Sequence, residues 1–589
     1  MEANGSLQDT GSRYEAIMFD WVDHTLFALM LLVSTVVGIL IGVCGKQDTK
    51  IDYLLGGKMM NTIPVAVSLV ASHLSGITLM GVPSEIYVYG AQYSTALLSA
   101  VFMCVIINYI YLPVFFSLQL TSTFEYLELR FNQRVRAIAS MVFTISTVLH
   151  LPIVVYVPAL AFSQVSGVNI HLITPIVSII CILYTMMGGL KAVVWTDFLQ
   201  AFVTVGSCFA VIILGIMNVG GLGAVFERSN EGGRTEIFNL DPSPFARNTF
   251  WTVTIGMTFL WLSQCGINQG MVQKFIALPS ITNARRSLII FCIGYMSMKA
   301  ISCFIGLLIY ASYYNCDPIQ TKSIERKDQL LPYFIMHTTY HLPGLPGLFI
   351  AGIFSAALST MSSHLNSLAG SLFEDFVLPC IKGTRLSNHA TLILRIIVVL
   401  VGAVTVLMVF VVEKLGSVLE LSYSVGGVTS GTLLGVFSLG ILVPWSNIKG
   451  AIAGSISSIV VMSTILIGAQ KAIAAGKRHA ELSTSVEGCD FNVTHILGNT
   501  TAVPSSEQLE GDNLFFLFRI SYMYYTLVGT FIVMFVGVAV SWATGWDQPG
   551  LKDRRLYAPC LHRYTHRTRR GEGINPTEEV HLNTRSSNE

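Results

Sequence analysis

The chain has little charge of either sign. Of its 589 residues, 12% are Asp, Glu, Lys or Arg, whereas 52% are hydrophobic and the formal net charge is +1. Soluble domains carry about 25% charged residues, so this composition indicates a membrane protein. The near-zero net charge excludes a bulk polyanion binder. Because no basic stripe with interleaved aromatics precedes the C-terminal tail, we expect no nucleic-acid partner.

Motifs of several other protein classes are also missing. The start, MEANGSLQDTGSRYEAIMFDW, has no basic region and no small-residue cleavage site, so we expect no cleaved signal peptide. The eleven cysteines include no CxxC pair. Only Cys316 and Cys489 fall in predicted outer loops, and the sequence does not decide whether they pair. We find no nucleophile–base motif, metal-ligand spacing or phosphate-binding glycine loop, so we predict neither an enzyme nor an organic cofactor.

Long apolar runs fill most of the chain. A bilayer core needs about 20 apolar residues per helix, and counting such runs predicts an all-α membrane protein with about thirteen transmembrane helices. Their approximate centres are Leu32, Val70, Val105, Val154, Ile180, Phe209, Leu260, Tyr295, Phe354, Leu400, Leu433, Val460 and Val533.

Two signals orient these spans. Basic residues concentrate in the loops after odd-numbered spans, which the positive-inside rule makes cytoplasmic; they include Lys46, Lys50, Lys58, Arg130, Arg134, Arg136, Lys191, Lys274, Arg285, Arg286, Lys382, Arg385 and Lys449. The glycosylation sequons at Asn4, Asn492 and Asn499 fall on the opposite side. We therefore predict a plasma-membrane protein with an extracellular N-terminus and a cytoplasmic C-terminus.

Polar segments flank the apolar core. We expect an extracellular N-terminus over 1–22, an extra helix over 23–45 and a twelfth helix over 448–470. A glycosylated outer loop should span 471–513, and a thirteenth helix should span 514–543. The remainder, 544–589, is predicted to be a cytoplasmic tail, disordered from Trp546 onward. Its basic first half is typical of ordinary positive-inside charge, although a site for anionic lipid stays open.

Polar residues within the spans are the candidates for chemistry. Asp197 opens an apolar helix, with Gln200 one turn later on the same face. An intramembrane acid indicates a functional site because its burial is costly, unless it lies at the interface and caps its own helix.

Two spans carry internal glycines. The second reads PVAVSLVASHLSGITLMGVP and the seventh reads TFLWLSQCGINQGMVQKF. They lie five spans apart, and broken helices at matching positions of two repeats are a pointer to a transporter binding site. Alternatively, the glycines only permit close helix packing.

The ninth span contains an unusually polar stretch, FSAALSTMSSHLNS. Ala356, Ser359, Thr360 and Ser363 follow helical spacing and share one face. Two adjacent hydroxyls and a nearby carbonyl offer oxygen ligands without a carboxylate, which suits a small monovalent cation. A small-residue packing face is the alternative.

Several stretches together resemble the sodium:solute symporter family, also called the sodium/glucose cotransporter family. They are SLVASHLSGITLMGVPSEIYVYG, TSTFEYLELRFN, YTMMGGLKAVVWTDFLQ, GINQGMVQKF, KDQLLPYFIMH, GTLLGVFSLGIL and the stretch FSAALSTMSSHLNS. The resemblance runs from about Asp23 to Trp542. It implies a LeuT-type five-plus-five inverted repeat over 60–443, with repeats at 60–220 and 249–443, and sodium as the coupling ion.

The resemblance also implies site residues. Its general sodium site maps onto Ala71, Leu74, Ala356, Ser359 and Thr360. Its membrane acid maps onto Asp197, and we expect Ser72, Gln200 and Gln269 to face that acid in a second polar or sodium site. Thr78, Trp261 and Asn268 are expected near the substrate.

Within the family, GVPSEIYVYG resembles the branch of monocarboxylate, multivitamin and iodide carriers. Thr78 stands where sugar carriers have histidine, and Thr432 replaces a proline usual in the family. The implied function is sodium-coupled import of a small organic anion such as a monocarboxylate, driven by the sodium gradient and the membrane potential. A biotin or pantothenate carrier is the alternative within the branch. A sodium-gated conductance or a non-transporting solute sensor is the alternative from another class.

Overall fold

A computed structural model describes residues 18–44, 49–324, 326–339, 341–381, 383, 385, 389–413, 418–474, 481–489, 515–548 and 552–565. Within these residues the chain forms helices and no strands. The long ones are α1 (Trp21–Cys44), α2 (Thr62–His73), α3 (Gly76–Tyr89), α4 (Ala91–Leu118), α5 (Gln133–Ser166), α6 (Ile170–Val219), α7 (Phe250–Ile267), α8 (Gln269–Ile276), α9 (Ile281–Ser312), α10 (Leu345–Ile381), α11 (Ala390–Val412), α12 (Val418–Leu442), α13 (Ile448–Ala474) and α14 (Tyr525–Ala543).

Ten helices in the described part of the chain are long and apolar enough to cross a bilayer. They account for the predicted spans except those centred on Val70 and Leu433, so the total of thirteen stays a prediction. The spans centred on Ile180 and Phe209 both fall in α6. Its 50 residues would extend about 75 Å as a straight helix, more than twice the bilayer core.

Gly189 interrupts α6 in the middle. Its backbone adopts φ 50° and ψ −148°, outside helical geometry. A side chain there would be strained at this positive φ, and a Cβ would come within 2.6 Å of the carbonyl oxygen of Tyr53. The helix therefore changes direction where only glycine fits.

Local signals in the sequence set several helix ends. Asn132 accepts a hydrogen bond from the Val135 amide at 3.0 Å and begins α5, and Ser280 caps α9 through the Asn283 amide at 3.2 Å. Gly167 ends α5 in the left-handed conformation. These are the ordinary N-cap and C-cap preferences, because a side-chain oxygen satisfies a free amide and glycine tolerates positive φ.

Helix α10 lies at the centre of the molecule. In its most apolar stretch, 89% of the residues are buried, whereas the corresponding fraction is 22% in α1 and 33% in α6. Small residues allow its neighbours to approach: a Cβ on Gly352 would lie 2.3 Å from Ser207 Oγ on α6, and Thr204 Oγ1 donates to the Gly352 carbonyl at 3.0 Å. The polar stretch that begins at Phe354 is therefore in the interior, where its hydroxyls must find protein partners.

Two expectations about polar segments need correction. The tail is not disordered throughout, because Leu556, Tyr557 and Ala558 are buried and Tyr126 Oη donates to the Leu556 carbonyl at 3.0 Å. These three residues lie within a basic segment, so the composition of the tail did not indicate that they would pack against the folded protein. The thirteenth helix begins at Tyr525 rather than near 514. The sequons Asn4, Asn492 and Asn499 lie outside the described residues.

The segment 481–489, which the sequence predicts to lie in an outer loop, packs against the end of α3. The amide of Leu482 donates to the Val88 carbonyl at 3.0 Å, and Thr484 Oγ1 donates to Asp317 Oδ2 at 2.6 Å. A disulfide joins Cys316 to Cys489, which resolves the pairing that the sequence left open.

Candidate functional site

Two helix breaks face the interior. Each lies in one of the two spans with internal glycines, but close to a glycine and not at one. The first separates α2 from α3 at Leu74 and Ser75, which have ψ values of 82° and 164°. The second separates α7 from α8 at Asn268, whose ψ is 131° and whose Oδ1 accepts from the Gly270 amide at 2.9 Å. A π-helical turn, Ser263–Ile267, precedes it. Both breaks leave backbone groups that lack helical partners and can bind a ligand.

The hydroxyls of Ser359 and Thr360 meet the end of α2. Thr360 Oγ1 lies 3.0 Å from the Ser72 carbonyl oxygen and 2.9 Å from the Ala356 carbonyl oxygen. Ser359 Oγ lies 3.5 Å from Ser72 Oγ. The expected sodium ligands on α10 thus lie beside the helix segment that carries Ala71. The oxygens are neutral, and no basic side chain among the described residues bonds to either hydroxyl, so the donor set fits a monovalent cation.

Asp197 is buried and does not cap its own helix. It accepts from Ser68 Oγ at 2.6 Å and from Ser72 Oγ at 2.9 Å. It also forms a salt bridge with Lys274, with Nζ 3.2 Å from Oδ2 and the two side chains 1% and 0% exposed. Of the second polar site, the structure therefore brings Ser72 to Asp197 as expected.

Lys274 corrects the sequence analysis, which assigned it to a cytoplasmic loop. It lies on α8, where its ammonium also bonds to Ser72 and Ser363 hydroxyls at 2.5 and 2.9 Å. The positive charge of Lys274 suggested a loop. The lysine can be buried because Asp197, 77 positions away in the chain, forms a neutral pair with it. The burial of Lys274 could have been inferred from Asp197, since a buried acid requires a cation as its partner.

The two glutamines that we expected to face Asp197 form hydrogen bonds with other residues. Gln200 Nε2 donates to Ser34 Oγ on α1 at 3.1 Å. Gln269 Nε2 donates to the Thr121 carbonyl at 2.7 Å, and its Oε1 accepts from the Thr123 amide at 2.7 Å. Within the described residues, neither side-chain amide donates to Asp197. Gln269 ties the start of α8 to the backbone after α4, whose groups are free to pair with an amide, whereas Gln200 joins α6 to α1.

A cavity of about 130 Å³ lies between the two breaks. The three residues expected near the substrate, Thr78, Trp261 and Asn268, all line it. So do groups that sequence analysis did not assign to the substrate: His73, His150, Lys274, Tyr295, Lys299, Ser363 and His364. The breaks, the hydroxyls of α10 and a polar cavity therefore form one connected region.

Lys299 is the buried cation of this cavity without a carboxylate partner in the described part of the chain. Its side chain lies on α9 and is 2% exposed. Nζ lies 3.4 Å from Tyr93 Oη and 5.4 to 5.6 Å from the ring centroids of Tyr93, Trp261 and Tyr295. Cation–π contacts only partly replace hydration, so an anion in the cavity would complete the site.

Three histidines surround the same space. The rings of His150 and His364 lie 5.6 Å apart, and His73 lies 4.9 Å from the Tyr295 ring. Nδ1 of His364 is buried and makes no hydrogen bond within the described residues. His73, His150 and His364 therefore share the wall of this cavity.

A buried ion pair lies near the end of α3. Glu85 on α3 accepts from Arg247 at 2.8 and 3.0 Å and from Asn248 at 2.8 Å. Near it, Arg234 is fully buried and donates to the Ser483 carbonyl at 2.7 Å. Burial lowers the pKa of the Arg234 guanidinium from its ordinary value. The segment 481–489 is thus held by hydrogen bonds from Arg234 as well as by the disulfide.

The buried cation Arg130 lies at the opposite end. Arg130 donates to the carbonyls of Gly440 and Pro444 at 3.0 and 2.8 Å, although the sequence placed it in a cytoplasmic loop. Lys552 Nζ donates to the Arg130 carbonyl at 2.7 Å. The tail is therefore joined to the ends of α12 and of the short helix Glu125–Arg130.

Comparisons with known proteins agree with this architecture. The model of the sodium:solute symporter family matches residues 53–458. The chain is 38% identical over 547 residues to sodium-coupled monocarboxylate transporter 1 of Homo sapiens, covering 91% of this chain and 89% of that one. It is 37% identical over 549 residues to sodium-coupled monocarboxylate transporter 2 of Mus musculus, covering 92% and 87%.

A third relative carries a different substrate in its name. The chain is 36% identical over 546 residues to a putative sodium-dependent multivitamin transporter of Drosophila melanogaster, covering 91% of this chain and 88% of that one. Among solved structures, the substrate-bound outward-open state of a Na⁺-coupled sialic acid symporter superposes with a TM-score of 0.72 at 24% identity. That match covers 90% of this chain and 100% of the other, and it shows the fold.

Proposed function

The chain belongs to the sodium:solute symporter family, and we propose that it imports a small monocarboxylate anion together with sodium. It is a multi-pass membrane transporter and not an enzyme, with Na⁺ as the coupling ion and no organic cofactor implied. The observation that carries the choice of an anion is Lys299, a buried cation that lines the central cavity. A buried charge is costly unless it is paired, and a substrate carboxylate supplies that pair.

The cavity size supports a small acid over a vitamin. Sites for drug-sized ligands enclose about 300–1,000 Å³, whereas this cavity measures about 130 Å³. A short-chain carboxylate fits that space without rearrangement of the walls, whereas biotin or pantothenate would need the cavity to open. The similarity to a putative multivitamin transporter keeps a vitamin carrier as the second candidate.

We assign sodium to the oxygens between α2 and α10. Ser359 and Thr360 supply the hydroxyls, Ala356 supplies a carbonyl, and the backbone at Ala71 and Leu74 completes the set. Support comes from Thr360 Oγ1, which already lies 3.0 Å from the end of α2. When bound, sodium supplies a positive charge that holds the unwound end of α2 against α10. The chain's own groups orient the solute, with Lys299 facing the carboxylate and Thr78 and Trp261 forming the walls.

We also propose a plasma-membrane location with the N-terminus outside. Disulfides persist in oxidising compartments, and the Cys316–Cys489 disulfide therefore supports an extracellular position for the end of α9. An odd number of spans then places the tail in the cytoplasm, as the basic loops predict. The bounds of the two inverted repeats, 60–220 and 249–443, form part of the same proposal.

A tracer panel tests the substrate. Cells expressing the protein are given labelled lactate, biotin, pantothenate, iodide or glucose, each with sodium or with choline in its place. We expect sodium-dependent accumulation of lactate. Accumulation of biotin alone would select the vitamin carrier, and accumulation of glucose alone would overturn the anion assignment. A substrate-evoked current without accumulation of any tracer would indicate a sensor or a conductance.

A further inference from the structure

The ammonium group of Lys274 lies inside a set of four oxygens. Nζ is 2.5 Å from Ser72 Oγ, 2.9 Å from Ser363 Oγ, 3.2 Å from Asp197 Oδ2 and 3.3 Å from the Ser68 carbonyl oxygen. These oxygens come from α2, α6 and α10, and the lysine comes from α8. Four separate elements therefore converge on one positive charge in the interior.

This oxygen set has the composition of a cation site. A carboxylate, two hydroxyls and a carbonyl are the ligand types that hard cations take, and Asp197 and Ser72 are two of the residues expected to form a second sodium site. The oxygens are nevertheless already bonded to an ammonium. A sodium ion on the same oxygens would lie next to that like charge, in an interior where repulsion is weakly screened. The residues present therefore do not fit a second sodium ion.

We propose that Lys274 is a built-in cation that takes the place of a second sodium ion, so that one sodium accompanies each monocarboxylate. This inference rests on the proposed function for the identity of the solute. One positive and one negative charge then cross together, and transport moves no net charge. The membrane potential does not drive such a cycle, contrary to the expectation from the sequence.

Two further observations bear on the proposal. Asp197 Oδ1 makes no hydrogen bond within the described residues, but the charge of this carboxylate is already balanced by the salt bridge to Lys274. The hydroxyls of Ser359 and Thr360, in contrast, bond to no basic side chain in the described part of the chain. The interior thus offers sodium one neutral oxygen site and one site that a lysine fills.

The wild-type protein provides the first test. Labelled sodium and labelled lactate uptake are measured in the same voltage-clamped cells. We expect about one sodium per lactate, no lactate-evoked current and a Hill coefficient for sodium of about 1. A ratio of two or more, or an inward current that accompanies uptake, would overturn the proposal. Absence of sodium-dependent lactate uptake would instead contradict the proposed function.

Sodium binding to purified protein provides a readout that does not need transport. Equilibrium dialysis with labelled sodium should give about one bound ion per wild-type chain and about two per Lys274→Gln chain, because the variant frees a carboxylate and two hydroxyls. Lys274→Arg should keep one ion, since the cation is retained. The double variant Lys274→Gln, Asp197→Asn should also bind one. Two ions bound to the wild type or to Lys274→Arg would refute the assignment.

Variant transport completes the test. We expect Lys274→Gln to show an inward current during uptake and a Hill coefficient near 2. Lys274→Arg, in whatever uptake remains, should stay without current. An electroneutral Lys274→Gln protein that binds one sodium would contradict the proposal. If that variant does not reach the surface, the wild-type ratio and the sodium counts of the wild type and of Lys274→Arg still decide.

Discussion

The hydroxyl oxygen of Thr360 lies 3.0 Å from the carbonyl oxygen of Ser72, although 288 positions separate the two residues in the chain. Ser72 occupies the last turn of α2, one residue before the helix ends at His73. This contact ties the central helix α10 to the first helix break. A cation bound between them would therefore stabilise both elements at once, which is the coupling that a symporter requires.

Removing the two hydroxyls should weaken sodium binding. We expect Ser359→Ala with Thr360→Ala to raise the sodium concentration for half-maximal uptake by at least about tenfold, since a hydrogen bond or ligand to a charged group contributes about 1.5–3 kcal/mol. Uptake against sodium concentration, corrected for surface protein, measures it. Ser355→Ala on the same helix is the matched control, because Ser355 Oγ makes no hydrogen bond within the described residues. Normal sodium dependence in the double variant would refute the site.

Removing the positive charge at Lys299 should weaken substrate binding. We expect Lys299→Met to raise the KM for lactate by about tenfold or more, because a charge-assisted hydrogen bond contributes about 1.5–3 kcal/mol. Lys299→Arg keeps the charge and should retain part of the uptake. Arg285→Met, an exposed position at the start of the same helix, controls for loss of any positive charge. An unchanged KM in Lys299→Met would show that the anion binds elsewhere.

Breaking the Glu85–Arg247 pair should destabilise the protein. Glu85→Gln leaves the buried guanidinium without its carboxylate, at a cost of about 3–5 kcal/mol. The thermal midpoint of the purified protein measures this loss. Glu481→Gln, which breaks a half-exposed pair with Lys327, should cost less than about 1 kcal/mol. Equal effects of the two substitutions would argue against the buried pair, and Arg247→Met added to Glu85→Gln should recover stability.

The break in α6 should not tolerate a side chain. Gly189→Ala is expected to cost at least about 1–3 kcal/mol, because it adds backbone strain at φ 50° and a contact of 2.6 Å with the Tyr53 carbonyl. Gly206→Ala in the same helix is the matched control, since nothing lies within 4 Å of its Cβ position. It should be neutral or stabilising by about 0.5–1 kcal/mol. Comparable surface expression and thermal midpoints for both would contradict the assignment.

Sequence patterns predicted the site where chemistry depends on local spacing. Ser359 and Thr360 share a helix face at fixed intervals, whereas Thr78, Trp261 and Asn268 were expected near the substrate only from the family resemblance; all three line the cavity. The expected contact between Gln200 and Asp197 does not form as a hydrogen bond from the Gln200 amide, because the spacing of the two residues determined their helix face but not the residue to which the amide donates. That residue is Ser34, 166 positions earlier.

Membrane location and the polar stretch of α10 were determined by the sequence itself, because hydrophobic length and hydroxyl spacing are properties of contiguous residues, and the family followed from motifs that the sequence also carries. Only the tertiary structure decided that Lys274 is buried against Asp197, that Lys299 lines the cavity and that Cys316 pairs with Cys489. Each of these depends on two segments far apart in the chain. A charge is stable in the interior only where another segment supplies its partner, and the packing of helices alone determines which segment that is.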